Sequence, residues 1–243
     1  MSFIPYLGEK SKFSNFIIPN IPTDISMYVE PFGGMFGIFF SMDLEEFKDV
    51  KFVYNDSNWL NYNLFKQLRD KEFLGVLQNY KPTESDYNTS KSQLLNNNWS
   101  SEEAALKWLT ILCCSSSQYD ISNGTYKGNS ELDILKLKLK WGKDRLSKID
   151  SILNDDYQDL ILRFDSKETF FYVDPPYKNR EHYYINHSFN ESSHQDLSNL
   201  LKLIKGRFAL SYFYFPEIDE WYKDYQIISN RTLMGTELLI MNY

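Results

Sequence analysis

Hydrophobic positions change their period along this chain, and the changes outline its organisation. Tyr28 to Gly34 (YVEPFGG) and Lys51 to Asp56 (KFVYND) are short apolar runs stopped by acids, proline or glycine, the pattern of buried strands. The apolar stretch Met35 to Phe40 after the first run predicts strand, tight loop, helix. The period then becomes helical in LNYNLFKQL, residues 60–68, and in EEAALKWLTILCC, residues 102–114. Between them, the Asn- and Ser-rich segment Asp86 to Ser101 predicts an exposed loop. LKLKLKW, residues 135–141, alternates apolar and basic residues in a way that suits either a strand or a helix face. Strand patterns return in TFFYV, ALSYFYF, YQIIS and TELLIMNY, the last with hairpin-like order. The prediction is an α/β domain made of residues 1–60 and 149–243, interrupted by a mostly helical lobe at 61–148, with no internal repeat.

The sharpest chemical signal is Thr169 to Tyr177, TFFYVDPPY. A strand followed at once by an acid and two prolines must stop at the sheet edge and present rigid backbone there, which is where open α/β sheets bind ligands. Asp174 can accept hydrogen bonds from an exocyclic NH2, and the carbonyl of Pro175 can accept another because the proline after it disfavours helical backbone. Pro176 stiffens the turn and Tyr177 offers a flat face for stacking. Together these four residues suit a planar amine, such as adenine or cytosine, taken out of its duplex.

Two further elements have the form of a nucleotide site. Glu30, Pro31, Phe32, Gly33 and Gly34 follow a strand, and glycines there let backbone N–H groups come close to a ligand. Asp56 ends the second strand about 25 residues on, where α/β folds place a carboxylate for ribose hydroxyls. Alternatively, Asn55 and Asp56 form only a turn and a cap for the helix starting near Trp59.

These segments, in this order, resemble the Dam-like (D12 class) adenine-N6 DNA methyltransferases, which use S-adenosylmethionine. Pro5 to Lys10, PYLGEK, is similar to the family's opening Gly-Gly-Lys element, with Glu9 in place of the second glycine; Tyr6 and Lys10 would then face the cofactor. The resemblance gives the loop of Glu30 to Gly34 to the methionine part of the cofactor. Met35 and Phe36 are bulkier than the family's residues there. LNDDYQDLILRFD, residues 153–165, resembles the segment that sets an acid and an aromatic, here Asp156 and Tyr157, beside the cofactor's adenine. Residues 58–70, KGRFALSY and ELLIMNY extend the match, which is weakest from about Asn79 to Ser130. What it implies is a Rossmann-like class I methyltransferase sheet with helices on both faces, an inserted target-recognition lobe and double-stranded DNA as substrate, with a restriction enzyme or partner subunit left open as a companion.

Composition changes this picture in few places. With 243 residues and 42% hydrophobic content the chain can bury a substantial core. The N-terminus lacks the pattern of a signal peptide, and no apolar stretch nears the roughly 20 residues that span a bilayer. A cytoplasmic enzyme is therefore expected, with Cys113 and Cys114 reduced in a helical core. His182, His187 and His194 fall close together, but no cysteine accompanies them and their spacing matches no zinc pattern, so no metal is expected. His194 instead suits the first turn of a helix capped by Asn190 and closed by Gly206.

The net charge of −7 runs against a DNA partner, because backbone binding relies on basic residues that neutralise phosphates. Distribution moderates this. Lys127 and the series Lys136, Lys138, Lys140, Lys143 and Arg145 form a stripe that could track phosphates or simply be a solvated face, and Lys178 and Arg180 directly follow the tetrapeptide. Two other readings stay open: an amino-methyltransferase acting on cytosine N4 or on an RNA base, and a non-catalytic DNA-binding partner subunit.

Overall fold

The computed structural model describes residues 3–6, 8, 10–93, 99–117, 123–181, 189–232 and 235–243. Its centre is a 7-stranded sheet built from β1 (Met27–Glu30), β2 (Lys51–Asn55), β3 (Ile149–Leu153), β4 (Thr169–Val173), β5 (Arg207–Phe213), β6 (Gln226–Thr232) and β7 (Gly235–Met241). The order is β3-β2-β1-β4-β5-β7-β6. The first five strands run parallel, and β7 is antiparallel to both β5 and β6. All residues of β4 are buried, as expected of a parallel strand covered on both faces.

Alternation along the strands separates two apolar layers. Tyr28, Phe52, Tyr54, Phe170, Tyr172, Leu239 and Met241 join one cluster. Val29, Val53, Phe171, Val173, Leu210, Leu238 and Ile240 join the other. The second layer is closed by α7 (Tyr157–Phe164), α8 (Glu191–Leu201) and α9 (Ile218–Trp221), which contribute Leu160, Ile161, Leu197, Leu201 and Ile218. The first carries the short α1 (Ser14–Ile17) and the helices lying between β2 and β3: α2 (Trp59–Leu68), α3 (Lys71–Asn79), α4 (Glu84–Ser92), α5 (Ser101–Cys114) and α6 (Ser130–Ser147). Their buried side chains, Trp108 and Leu109 of α5 among them, form one continuous core with the sheet. Cys113 and Cys114 are buried in that core with free thiols.

The structure corrects several expectations. Met35 to Phe40 is not an α-helix: Phe36 has φ +54°, in the left-handed region that right-handed helices exclude, and only the 3-10 turn Phe39–Ser41 forms. Part of the expected loop Asp86 to Ser101 is instead α4, started by a reciprocal cap in which the Thr83 hydroxyl takes the Asp86 N–H while the Asp86 carboxylate takes the Thr83 N–H. α8 begins as expected, with Asn190 accepting from the N–H groups of Ser192 and Ser193. It ends at Leu201 rather than at Gly206, whose N–H is taken by Asp165.

LKLKLKW belongs to α6, where Leu132, Leu135, Leu139 and Leu146 face the core at helical spacing. That register turns two of the supposed phosphate-tracking residues inward. Lys136 is buried and donates to the Tyr80 carbonyl at 2.6 Å. Arg145 donates to the carbonyls of Phe39 and Met42, each at 2.6 Å. Both charges are therefore used within the protein, and neither belongs to a basic surface. Lys127, Lys140 and Lys143 are exposed, and Lys138 is half-buried.

Arg145 ties α6 to the segment after the glycine loop, so Arg145→Met is expected to lower the unfolding free energy by about 2–3 kcal/mol as bonds from a charged donor are lost. Urea denaturation checks this; an unchanged midpoint would return Arg145 to the surface role.

Candidate active site

At the carboxyl ends of β1, β2 and β4 the chain leaves the sheet in successive loops around one cavity. The loop after β1 is held against β2 by close backbone contact. Gly33 donates its N–H to the Asn55 carbonyl at 2.7 Å, and a Cβ on Gly33 would lie 2.4 Å from the Tyr54 ring. Only glycine allows that approach. Gly34, at φ +49°, donates its N–H to Asp56 Oδ2 at 2.8 Å, and its carbonyl accepts from the Tyr54 hydroxyl at 2.9 Å.

Asp56 therefore serves first as a clamp. Oδ1 accepts from the Asn58 N–H at 2.7 Å, and Oδ2 accepts from Gly34 and from Asn61 Nδ2 at 3.1 Å. A carboxylate has about four acceptor positions, so one remains for a ligand hydroxyl. Asn58, not Asp56, caps α2 by accepting from the Leu60 N–H. Burial pushes the Asp56 carboxyl up to about 6 against the pull of its three donors.

The cavity is lined by Tyr6, Lys10, Glu30, Phe32, Gly33, Gly34, Asp56, Asp174 and Pro176, with the missed residues Tyr172 and Asn58 beside them. Glu30 is fully enclosed, accepts from the Tyr28 hydroxyl at 2.6 Å, and has its carboxyl pushed well up by burial and then by the nearby charge of Asp174. Lys10 is buried despite its charge. Its ammonium lies 2.7 Å from Asp174 Oδ1, 3.1 Å from the Gly8 carbonyl and 4.6 Å from the centre of the Tyr177 ring. Tyr6 accepts from Asn61 Nδ2 at 3.1 Å, and burial pushes its phenol up.

Other expected residues stand around the cavity without lining it. The Pro31 carbonyl accepts from Asn55 Nδ2 at 2.9 Å. Pro175 and Tyr177 are buried behind the β4 end, with the Tyr177 hydroxyl donating to Glu237. Asp156 is exposed and caps α7 through the Gln158 N–H. Tyr157 packs its ring 5.1 Å from Phe32, which lines the cavity, so its contact with the site is indirect. Lys178 is paired with Glu217 at 2.5 Å, and Arg180 lies over the Phe213 ring.

His194 sits in the first turn of α8, with Nδ1 at 2.7 Å from the Tyr212 hydroxyl and Nε2 at 2.7 Å from Glu181. Burial keeps its pKa low. His182, His187, Tyr183 and Tyr184 lie outside the described residues. Among the described residues no cluster of three or more metal-ligating side chains occurs, and no helix is long and apolar enough to cross a membrane.

Three supporting residues escape a reading of the sequence by local motif. Asn55 is fully buried and joins the loop after β1 to the loop after β3: Nδ2 donates to Pro31, and Oδ1 takes the Asp155 N–H at 2.9 Å. Asn61 donates to both Tyr6 and Asp56 and accepts from Trp108 Nε1 at 2.9 Å. Glu237 is a buried acid immediately before the apolar run of β7. The usable signal was the same in each case, a polar residue at a position that the apolar period assigns to the core.

The raised Asp56 carboxyl has a measurable consequence. The folded chain holds that proton more tightly than the unfolded chain, so the stability it contributes is fully present below the unfolded value and is lost as pH rises through about 6. Relative to Asp56→Asn, the wild type is expected to lose about 2 kcal/mol of unfolding free energy between about pH 4.5 and about pH 7.5. Urea denaturation of both proteins at the two pH values measures the difference, and a pH-independent difference would contradict the burial of this group.

No curated protein matches the chain. Residues 6–236, nearly the whole sequence, match a family described as D12 class N6 adenine-specific DNA methyltransferase. That span runs from Tyr6 in the cavity through the glycine loop and Asp174 to the final hairpin. The chain belongs to the D12 class N6 adenine-specific DNA methyltransferase family.

Proposed function

We propose that this protein transfers a methyl group from S-adenosylmethionine to the exocyclic N6 of an adenine turned out of double-stranded DNA. The observation that carries the reading is a shared cavity: Asp174 and Pro176 of the β4 loop line the same space as the Gly33–Gly34 loop and Asp56. An acceptor for an amine thus stands beside a crevice built like a nucleotide site.

The lining suits the cofactor. Glu30, Asp56 and Asp174 give the cavity an acidic wall toward a ligand carrying a sulfonium and an ammonium, and Lys10 offers a counter-charge. The absence of side chains on Gly33 and Gly34 leaves a cradle against the backbone, and Phe32 supplies an apolar surface. Asp56 keeps one acceptor position for a ribose hydroxyl. When bound, S-adenosylmethionine supplies the electrophilic methyl group.

Adenine N6 is a weak nucleophile because its lone pair is delocalised into the ring. Hydrogen bonds from its two N–H groups to Asp174 and to the Pro175 carbonyl favour the pyramidal form in which the lone pair is available. In the structure Lys10 sits on Asp174 Oδ1, so the amine and the ammonium share or compete for that carboxylate. Positioning and fixed charge then do most of the work of an in-line transfer. Base turning costs a few kcal/mol, which stacking against an aromatic face offsets. Lys127, Lys140 and Lys143 supply exposed positive charge for the phosphates of an otherwise acidic protein.

The direct test uses labelled S-adenosylmethionine with unmethylated DNA and, in parallel, RNA, identifying the modified nucleoside by mass spectrometry. N6-methyladenine in DNA is the expected product. N4-methylcytosine or a modified RNA base would replace the substrate, and cofactor binding without transfer would favour a partner subunit role. Asp174→Ala is expected to abolish transfer while leaving the cofactor dissociation constant within about tenfold, as for a group that acts mainly on the acceptor; calorimetry showing lost cofactor binding would contradict that role. Joint replacement of Lys140 and Lys143 by Ala is expected to reduce the salt dependence of DNA binding by about two phosphate contacts. An unchanged slope in a binding titration would remove α6 from the DNA surface.

A further inference from the structure

Glu237 is the one acid in the run TELLIM, and it is 1% exposed. It lies at the start of β7, opposite Phe213 of β5 and Asn230 of β6. An apolar residue here would continue the strand's pattern without the cost of a buried carboxyl. Its Oε1 accepts from the Tyr177 hydroxyl at 2.5 Å, and its Oε2 is buried with no hydrogen-bond partner among the described residues. Burial pushes the carboxyl up to about 7 against the pull of Lys10. The family match spans residues 6–236, and Glu237 lies one residue beyond it.

Tyr177 is held on more than one side. The Phe213 ring meets it edge-on with centres 4.8 Å apart and planes at 72°. Tyr212 lies 5.7 Å away, and the Lys10 ammonium faces the ring. These contacts constrain the ring's position but offer no polar anchor for its hydroxyl. The hydroxyl oxygen lies on the axis about which the ring turns, so the bond to Glu237 fixes the depth of the phenol, while the packed rings of Phe213 and Tyr212 restrict its plane. The same Lys10 that faces the ring also contacts Asp174, so one ammonium links the ring to the acceptor that the amine must reach.

We propose that Glu237 is a positioning residue that anchors the Tyr177 hydroxyl and thereby fixes the position of a ring whose Lys10-covered face receives the target base once the ammonium moves aside. This rests on the adenine methylation reading above. The bond need not carry charge, since a neutral carbonyl oxygen also accepts from a phenol, though more weakly than a carboxylate; its geometry is what the site uses.

The test is a mutant cycle on turnover, with cofactor affinity measured on each protein. Glu237→Leu is expected to lower kcat about thirtyfold with the S-adenosylmethionine dissociation constant within about threefold, the split expected of a group that acts on the acceptor side. Glu237→Gln, which keeps an acceptor oxygen, is expected to stay within about threefold of wild type in kcat. Tyr177→Phe keeps the stacking face and removes the hydroxyl, so it should lose as much as Glu237→Leu, and adding Glu237→Leu to it should cost less than about threefold more. Equal cost of Glu237→Leu in both backgrounds would overturn the assignment. So would wild-type turnover in Tyr177→Phe, which decides the matter even if Glu237→Leu does not fold. Failure of the wild type itself to methylate adenine, with cofactor bound, overturns the parent reading and this role with it; normal wild-type transfer with unaffected variants overturns this role alone.

Discussion

A carboxylate at the end of one strand holds the backbone N–H of a glycine at the end of the next, and the site is assembled around that contact. Asp56 takes the Gly34 N–H, while Gly33 lies so close to β2 that a side chain on it would collide with Tyr54. The clamp shapes the loop into a cradle and sets the carboxylate at the cavity wall. It also explains why a group expected to meet ribose hydroxyls is already engaged by three donors: the same oxygens that shape the loop leave one direction open. Asn55 extends the arrangement by stitching the loops after β1 and β3 together, so three strand ends share one polar frame.

Charge in this frame is dense for an enclosed place. Glu30, Asp56, Asp174 and Glu237 all carry carboxyls, with Lys10 as the cation in contact with Asp174. Desolvation raises three of them, and an uncompensated buried charge is costly. A positively charged ligand bearing hydroxyls and amines offsets that cost by supplying what the frame lacks, which is the physical basis for reading the cavity as the seat of a sulfonium cofactor. In the proposed reaction the Lys10–Asp174 pair is the resting state that an incoming amine would displace.

Much of this was legible where the information is local. The strand ends YVEPFGG, KFVYND and TFFYVDPPY carry their turn formers and acids in sequence, and each ends at the cavity. Of the helices between β2 and β3, α2 and α5 were legible through their helical period. What was not legible depends on distance or on a single backbone angle. Phe36 adopts a left-handed conformation, unusual for a bulky residue, and that turns an apparently helical run into a bend. Asn61 joins the nearby Asp56 to Tyr6 and Trp108, 55 and 47 residues away, and Glu237 finds Tyr177 60 residues away, so the long-range half of each role is invisible in the local sequence. The basic stripe misled for a related reason: alternation in LKLKLKW implied one outward face, whereas the helical register buries Lys136 and aims Arg145 at two carbonyls.

The central claim is that Asp174 and the Pro175 carbonyl receive the two N–H groups of an extrahelical adenine. A structure of the protein with S-adenosylhomocysteine and a short unmethylated duplex addresses it most directly. One adenine is expected outside the helix, its N6 at about 3 Å from both acceptors, with the Lys10 ammonium moved off the Asp174 oxygen it contacts. An adenine left stacked in the duplex, or a turned-out base whose amine lies away from Asp174 while Lys10 keeps its place, would contradict it.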